Sequence, residues 1–153
     1  MSNIPASKRP TSRVDFFKKA IDLRAKIVDY LNVDFNSDKK VDEEGWENEK
    51  YWVIVKVRNS IYEYARQMVE NCTQANTIRI GSLYEYNERR RYMTAAIGNC
   101  ESINQEIQFS IRYLNIKPNK YMRLIKEILL VRDSIRNWRK SDNKVKNKLL
   151  SNK

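Results

Sequence analysis

The chain has 153 residues, 41% of them hydrophobic, and a formal net charge of +11 from 30 Lys and Arg against 19 Asp and Glu. That length is one domain with room for a real core, and three Gly and three Pro are too few for the turns of an all-β fold. The absence of His excludes catalytic triads and imidazole general bases, and the charge excess favours a polyanion partner such as nucleic acid or an anionic membrane surface.

Residues 1–12 read as an extended basic arm, with Pro5, Lys8, Arg9 and Pro10. They lack the apolar run of a signal peptide, so the protein is expected in the cytoplasm. Ser12 is a plausible N-cap, and Asp15 at the third helical position suits the positive end of a helix. The first helix is predicted to run to about Leu31. Its apolar stripe is Phe16, Phe17, Ala20, Ile21, Leu23, Ile27, Val28 and Leu31, with Arg13, Lys18, Lys19, Arg24 and Lys26 on the other side. Val33 to Gly45 is polar and acidic and reads as a loop. Asp34, Asn36 and Asp38 resemble the opening of a calcium loop, but Lys39 and Gly45 stand where such a loop needs Gly and Glu.

A second helix is predicted from Trp46 or Glu47 to about Gln74. Its apolar surface is Tyr51, Trp52, Ile54, Val55, Ile61, Tyr62, Tyr64, Ala65, Met68, Val69 and Cys72. The run from Tyr51 to Val57 is β-branched and suits a strand on propensity alone. The helical period, however, continues through Ile61, Ala65, Met68 and Cys72 without a turn signal. After a loop from Asn76 to Gly81, Ser82 caps a third helix, with Glu85 in the capping-box position. That helix keeps its core register at Met93, Ala96, Ile97, Cys100, Ile103, Ile107, Ile111 and Leu114. A short turn at Asn115 to Pro118 makes the third and fourth helices antiparallel neighbours.

The fourth helix, Asn119 to Lys140, has apolar residues at Tyr121, Leu124, Ile125, Ile128, Val131, Ile135 and Trp138, at spacings of three and four. Residues 142–153 read as a frayed basic tail. The expected fold is therefore all-α, an up-down-up-down four-helix bundle over residues 13–141. The most apolar run, Ile125 to Val131, contains Lys126 and Glu127 and is far short of the roughly 20 residues of a membrane span.

Catalytic signals are missing. No phosphate-cradling glycine loop is present, and a di-metal carboxylate bundle needs histidines that the chain does not have. Glu43, Glu44, Glu47 and Glu49 belong to or border a solvated loop. Cys72 and Cys100 are not in a CxxC arrangement and read as two reduced thiols in or near the core. No cofactor, metal or enzymatic activity is expected.

The basic clusters carry more. Arg132, Arg136, Arg139 and Lys140 lie at helical spacing beside the core stripe of the last helix. From Arg136 onward seven cations (Arg136, Arg139, Lys140, Lys144, Lys146, Lys148 and Lys153) face only Asp142, a local net of +6. Arg89, Arg90 and Arg91 are consecutive, so they cannot all be buried and at least two must face outward. Such residues give phosphate affinity without sequence readout. Of the aromatics, Tyr62, Tyr92, Tyr113, Tyr121 and Trp138 fall at or beside core positions. Tyr84 and Tyr86 are the better candidates for an exposed aromatic surface. Leu129 and Leu130 beside one stripe, and Tyr51 and Trp52 beside Val55, widen the apolar surface and point to an oligomer.

With Ile135, Trp138, Arg139 and Lys140 closing its last helix, the chain resembles the accessory variability determinant of diversity-generating retroelements over about Val14 to Asn143. That family is similar in turn to the bundle proteins encoded by intervening sequences of 23S ribosomal RNA genes. The chain departs from shorter members in its longer arm and its acidic loop. The resemblance implies a homopentameric barrel without an active site, which binds a reverse transcriptase and its template RNA or cDNA during mutagenic reverse transcription. It places the nucleic-acid contacts on Arg132, Arg136, Arg139 and Lys140, with Arg89, Arg90 and Arg91 as a second patch; Lys144 and Lys146 join the candidate contacts through the C-terminal charge cluster. The alternative is a helical-bundle interaction scaffold, or an intervening-sequence protein without a retroelement role.

Overall fold

The structure is a computed structural model that describes residues 13–34, 49–114 and 118–151. Four helices account for nearly all of them: α1 (Arg13–Asp34), α2 (Glu49–Thr77), α3 (Leu83–Tyr113) and α4 (Pro118–Ser151), with no strand among the described residues. The basic arm, the Ser12 cap, most of the acidic loop, the start at Trp46 or Glu47 and the Asn115 turn lie outside the described residues.

Each helix packs against its neighbours in the chain, and α4 closes back onto α1. The diagonal pairs make no close approach. Side-chain contacts give the directions. On α3 and α4 the partners are Tyr86 with Asn143, Thr94 with Arg139, and Glu101 with Arg132. Residue numbers rise on one helix as they fall on the other, so the pair is antiparallel. Asn71 meets Asn99, while Ile78 meets Arg89, which runs α2 against α3. Lys26 reaches Glu127, and Tyr30 lies 5.5 Å from Tyr121, which sets α1 against α4.

The core is one cluster fed by all four helices. Ala20, Leu23, Ile27 and Leu31 come from α1. Val53, Ile54, Val57, Ile61, Ala65, Met68, Cys72 and Ala75 come from α2. The β-branched run is thus helical, because Val53, Ile54 and Val57 share a face with Ile61 and Ala65. The same geometry corrects four core assignments. Ile21, Trp52, Tyr62 and, on α3, Tyr113 are 44%, 58%, 43% and 45% exposed, because each sits more than 90° around its helix from the centre of the buried stripe. Helix α3 contributes Met93, Ala96, Ile97, Cys100, Ile103, Ile107 and Leu114, and α4 contributes Tyr121, Leu124, Ile128, Val131 and Ile135. Each fully buried Ile contributes about 1.5–3 kcal/mol of transfer free energy.

The α3 cap forms as its sequence predicts. The Ser82 hydroxyl accepts from the Glu85 amide at 3.3 Å, and Glu85 Oε1 accepts from the Gly81 amide at 3.3 Å. The Glu85 amide, one of the orphan donors of the first turn, is thereby satisfied, and the Glu85 carboxylate folds back over the cap, where it also accepts from the Ser82 hydroxyl at 3.1 Å. The α4 end differs from expectation. The helix does not stop at Lys140 but continues through Ser151. No Gly or Pro interrupts it there, and Trp138, Asp142, Val145 and Leu149 repeat at helical spacing on its inner side, buried or half-buried.

Both thiols are interior. Burial pushes Cys72 and Cys100 up to about 12, and Cys100 Sγ contacts Met68 Sδ at 3.4 Å. At pH 8, far below that value, both stay protonated as well as covered. Titration with a disulfide reagent at pH 8 should therefore detect neither thiol in native buffer and both in 6 M guanidinium.

Candidate nucleic-acid interface

The three arginines at 89–91 project about 100° apart, and the structure sorts them. Arg89 points inward and is 1% exposed. Its Nε lies 3.0 Å from Asp142 Oδ2, its Nη1 donates to the Ile78 carbonyl at 3.5 Å, and its guanidinium sits 4.7 Å from the Trp138 ring centroid. Arg89 is therefore removed from the ligand-contacting set. Its charge is spent on a buried ion pair that joins α3 to α4. Asp142 is 3% exposed, so the single acidic residue after Arg136 faces inward. The outer side of the last turns is left with cations alone.

Tyr86 belongs to the same cluster. It is 2% exposed, which corrects its assignment to an exposed aromatic surface, whereas Tyr84 is 74% exposed. Tyr86 Oη donates to Asn143 Oδ1 at 2.8 Å and accepts from Arg90 Nη1 at 3.3 Å. The Lys146 ammonium lies 5.6 Å from the Tyr86 ring centroid, a cation–π approach. Trp138 is half-buried against the core, as its register predicts.

Arg90 is turned toward α4. There it lines a cleft of about 320 Å³ with Arg136, Asn137, Arg139, Lys140 and Asn143. Four of the cations picked out in the sequence thus meet across two helices, and two amides that the sequence did not single out lie between them. Arg139 is aimed by a 3.2 Å bond from Nη1 to Thr94 Oγ1. Because α4 continues, Lys144 and Lys148 extend the line from Arg136 and Lys140 at four-residue spacing. The line is about 18 Å long. Convergent guanidiniums and amide N–H groups in a cleft can hold a phosphate by charge-assisted, in-plane hydrogen bonds.

The other predicted cations are differently placed. Arg132 is tied at 3.0 Å to Glu101 and at 3.1 Å to Asp133, and only 20% of its side chain is exposed. Burial works against its charge, but the hydrogen bonds to Asp133 and Glu101 outweigh it and hold the guanidinium above its ordinary value. Arg136 shares Glu101 at 3.3 Å but keeps 46% of its side chain exposed. Arg91 is exposed, bonded to Glu88 at 3.1 Å and poised 4.8 Å from the Tyr92 ring centroid. The accessible cations are therefore Arg90, Arg91, Arg136, Arg139, Lys140, Lys144 and Lys146. Arg89 is interior and Arg132 is neutralised. Among the described residues, no group of three or more His, Cys, Asp or Glu could hold a metal ion, and no helix is long and apolar enough to cross a membrane.

No protein-family model, curated protein or solved structure matches this chain.

The buried pair makes a stability prediction. Asp142→Leu leaves Arg89 charged in the interior and should cost about 3–5 kcal/mol. Adding Arg89→Met should recover most of that loss, because the apolar pair needs no desolvation of charge. Urea denaturation of the wild type and the two variants measures both effects.

Proposed function

We propose that this protein is a non-catalytic nucleic-acid-binding bundle that works as the accessory subunit of a retroelement reverse transcriptase. The observation that carries the reading is the meeting of Arg90, Arg136, Arg139 and Lys140 around one cleft, on a chain of net charge +11. The inward turn of Asp142 supports it, because the turns of α4 that follow Arg136 then turn no carboxylate outward among the described residues. Phosphates are the anions that a continuous track of cations serves best, and counter-ion release supplies the affinity.

In this reading RNA or cDNA of the template lies in the cleft and along Lys144 and Lys146, with Arg91 at its edge. The reverse transcriptase is held on another face. The protein performs no chemistry itself. Several copies, five by the family resemblance, repeat the cleft around a ring and multiply its effective concentration for one long strand. The protein acts in the cytoplasm, where Cys72 and Cys100 remain reduced.

Binding to structured RNA between 50 and 200 mM salt tests the reading. The wild type should bind at 50 mM and lose affinity steeply as salt rises. Replacing Arg136, Arg139 and Lys140 together with Gln should weaken binding at least tenfold and flatten the log–log salt slope by about two, since each lost single-strand phosphate contact is worth roughly 0.7. Thermal unfolding should be nearly unchanged. Absence of binding at 50 mM, or an affinity indifferent to salt, rejects the reading.

A further inference from the structure

We infer that α3 carries a single-strand track, which starts at the basic cleft and ends on a stacking platform for an unpaired base at Phe109 and Tyr113. The inference rests on the reading of the cleft as a polyanion site and names the kind of nucleic acid it takes.

Phe109 and Tyr113 are four apart on α3, and their rings stack with centroids 5.4 Å apart and planes 12° from parallel. Each is 45% exposed. Two large aromatic rings stacked on each other and open to solvent are a poor use of apolar surface unless something covers them. A further flat ring laid on the pair continues the stack, and every nucleobase offers such a face.

The surroundings fit a nucleotide better than an apolar chain. A cavity of about 480 Å³ beside Phe109 is lined by Gln105, Gln108, Ile111 and Arg112. Gln108 Nε2 donates to Asn104 Oδ1 at 3.2 Å, which leaves its carbonyl free to face a base edge. The Gln105 amide offers both a donor and an acceptor. Arg112 is exposed and forms no ion pair among the described residues, so it supplies a cation at the phosphate of the stacked nucleotide.

The platform and the cleft lie on one side of the helix. At 100° per residue, Arg90, Thr94, Gly98, Gln105, Phe109 and Arg112 fall within an arc of about 100°. From Arg90 to Phe109 the rise is about 28 Å, which roughly eight nucleotides span at 3.4 Å each. Between the two ends the surface is low. Thr94 and Ala95 are exposed, and a Cβ added at Gly98 would meet nothing within 4 Å. Two of the carboxylates that border the path are already engaged, Glu88 by Arg91 and Glu101 by Arg132 and Arg136. A phosphate chain can therefore run from the cleft to the platform past cations, small and polar residues and a Glu101 that two arginines already hold.

The test compares fluorescein-labelled octauridylate with an eight-unit abasic ribose-phosphate chain by anisotropy at 50 mM salt. The full-length wild type should bind the octauridylate roughly ten- to hundredfold more tightly than the abasic chain. The double variant Phe109→Leu, Tyr113→Leu keeps apolar surface but has no ring to stack on. It should lose that preference and keep its affinity for the abasic chain. The corresponding Ala variant should do the same, and circular dichroism melts report whether each remains folded. If the Ala variant unfolds, the Leu variant decides. Equal, salt-dependent binding of both probes by the wild type overturns the platform and leaves the cleft standing. Failure to bind either probe overturns both. A preference that survives in the Leu variant overturns stacking. Base-indifferent binding together with a smaller mass of the Leu variant in light scattering shows that the rings meet a second copy instead.

Discussion

The buried pair of Arg89 and Asp142 is the constraint on which the arrangement of the functional end depends. Two charges at 1% and 5% side-chain exposure are costly to bring out of water, and their attraction offsets that cost only with good geometry and extra partners. Here the partners are present. The guanidinium also meets the Ile78 carbonyl and the Trp138 ring, so one side chain ties the α2–α3 connection, α3 and α4 together. The consequence is positional. With Asp142 held inward, α4 passes Lys140 as a packed helix, Asn143 reaches Tyr86, and Tyr86 aims Arg90 across the cleft.

That constraint also explains how a chain with 19 acidic residues presents a basic face at this end. Charge at this end is sorted rather than merely abundant. Arg89 cancels Asp142 inside, Arg132 shields Glu101 and Asp133 at the α3–α4 seam, and Arg91 covers Glu88. What remains facing water is the set around the cleft and along the last turns of α4. Further up α3 the cations give way to small residues and then to stacked rings. One helix thus offers charge at one end and apolar ring faces at the other, a pairing that matches the two chemistries of an unpaired strand.

Much of the fold was legible in the sequence because helical periodicity and the Ser82–Glu85 cap are local signals. Local periodicity outweighed the β-branched composition of the Tyr51 to Val57 run, and it placed Trp138 against the core. The failures were tertiary. Three consecutive arginines cannot all be buried, but only the meeting with Asp142, far along the chain, decides that one turns inward and that it is Arg89. Tyr86 looked exposed beside that triplet for the same reason. The end of α4 could have been found. Trp138, Asp142, Val145 and Leu149 repeat at helical spacing, but the surrounding lysines and asparagines hid a stripe that contains a carboxylate. The cleft amides Asn137 and Asn143, and the pair Phe109 and Tyr113, carry no local signal, since their roles exist only where helices face one another or face nothing.

Amide hydrogen exchange over residues 141–151 tests the central claim most directly, that the Arg89–Asp142 pair holds the last turns of α4 and with them the basic line. In the wild type these amides should be strongly protected relative to an unfolded chain. In Asp142→Leu that protection should fall at least tenfold while the core amides of 96–107 keep theirs. Free exchange of 141–151 in the wild type, or protection there that the substitution leaves untouched, would contradict it.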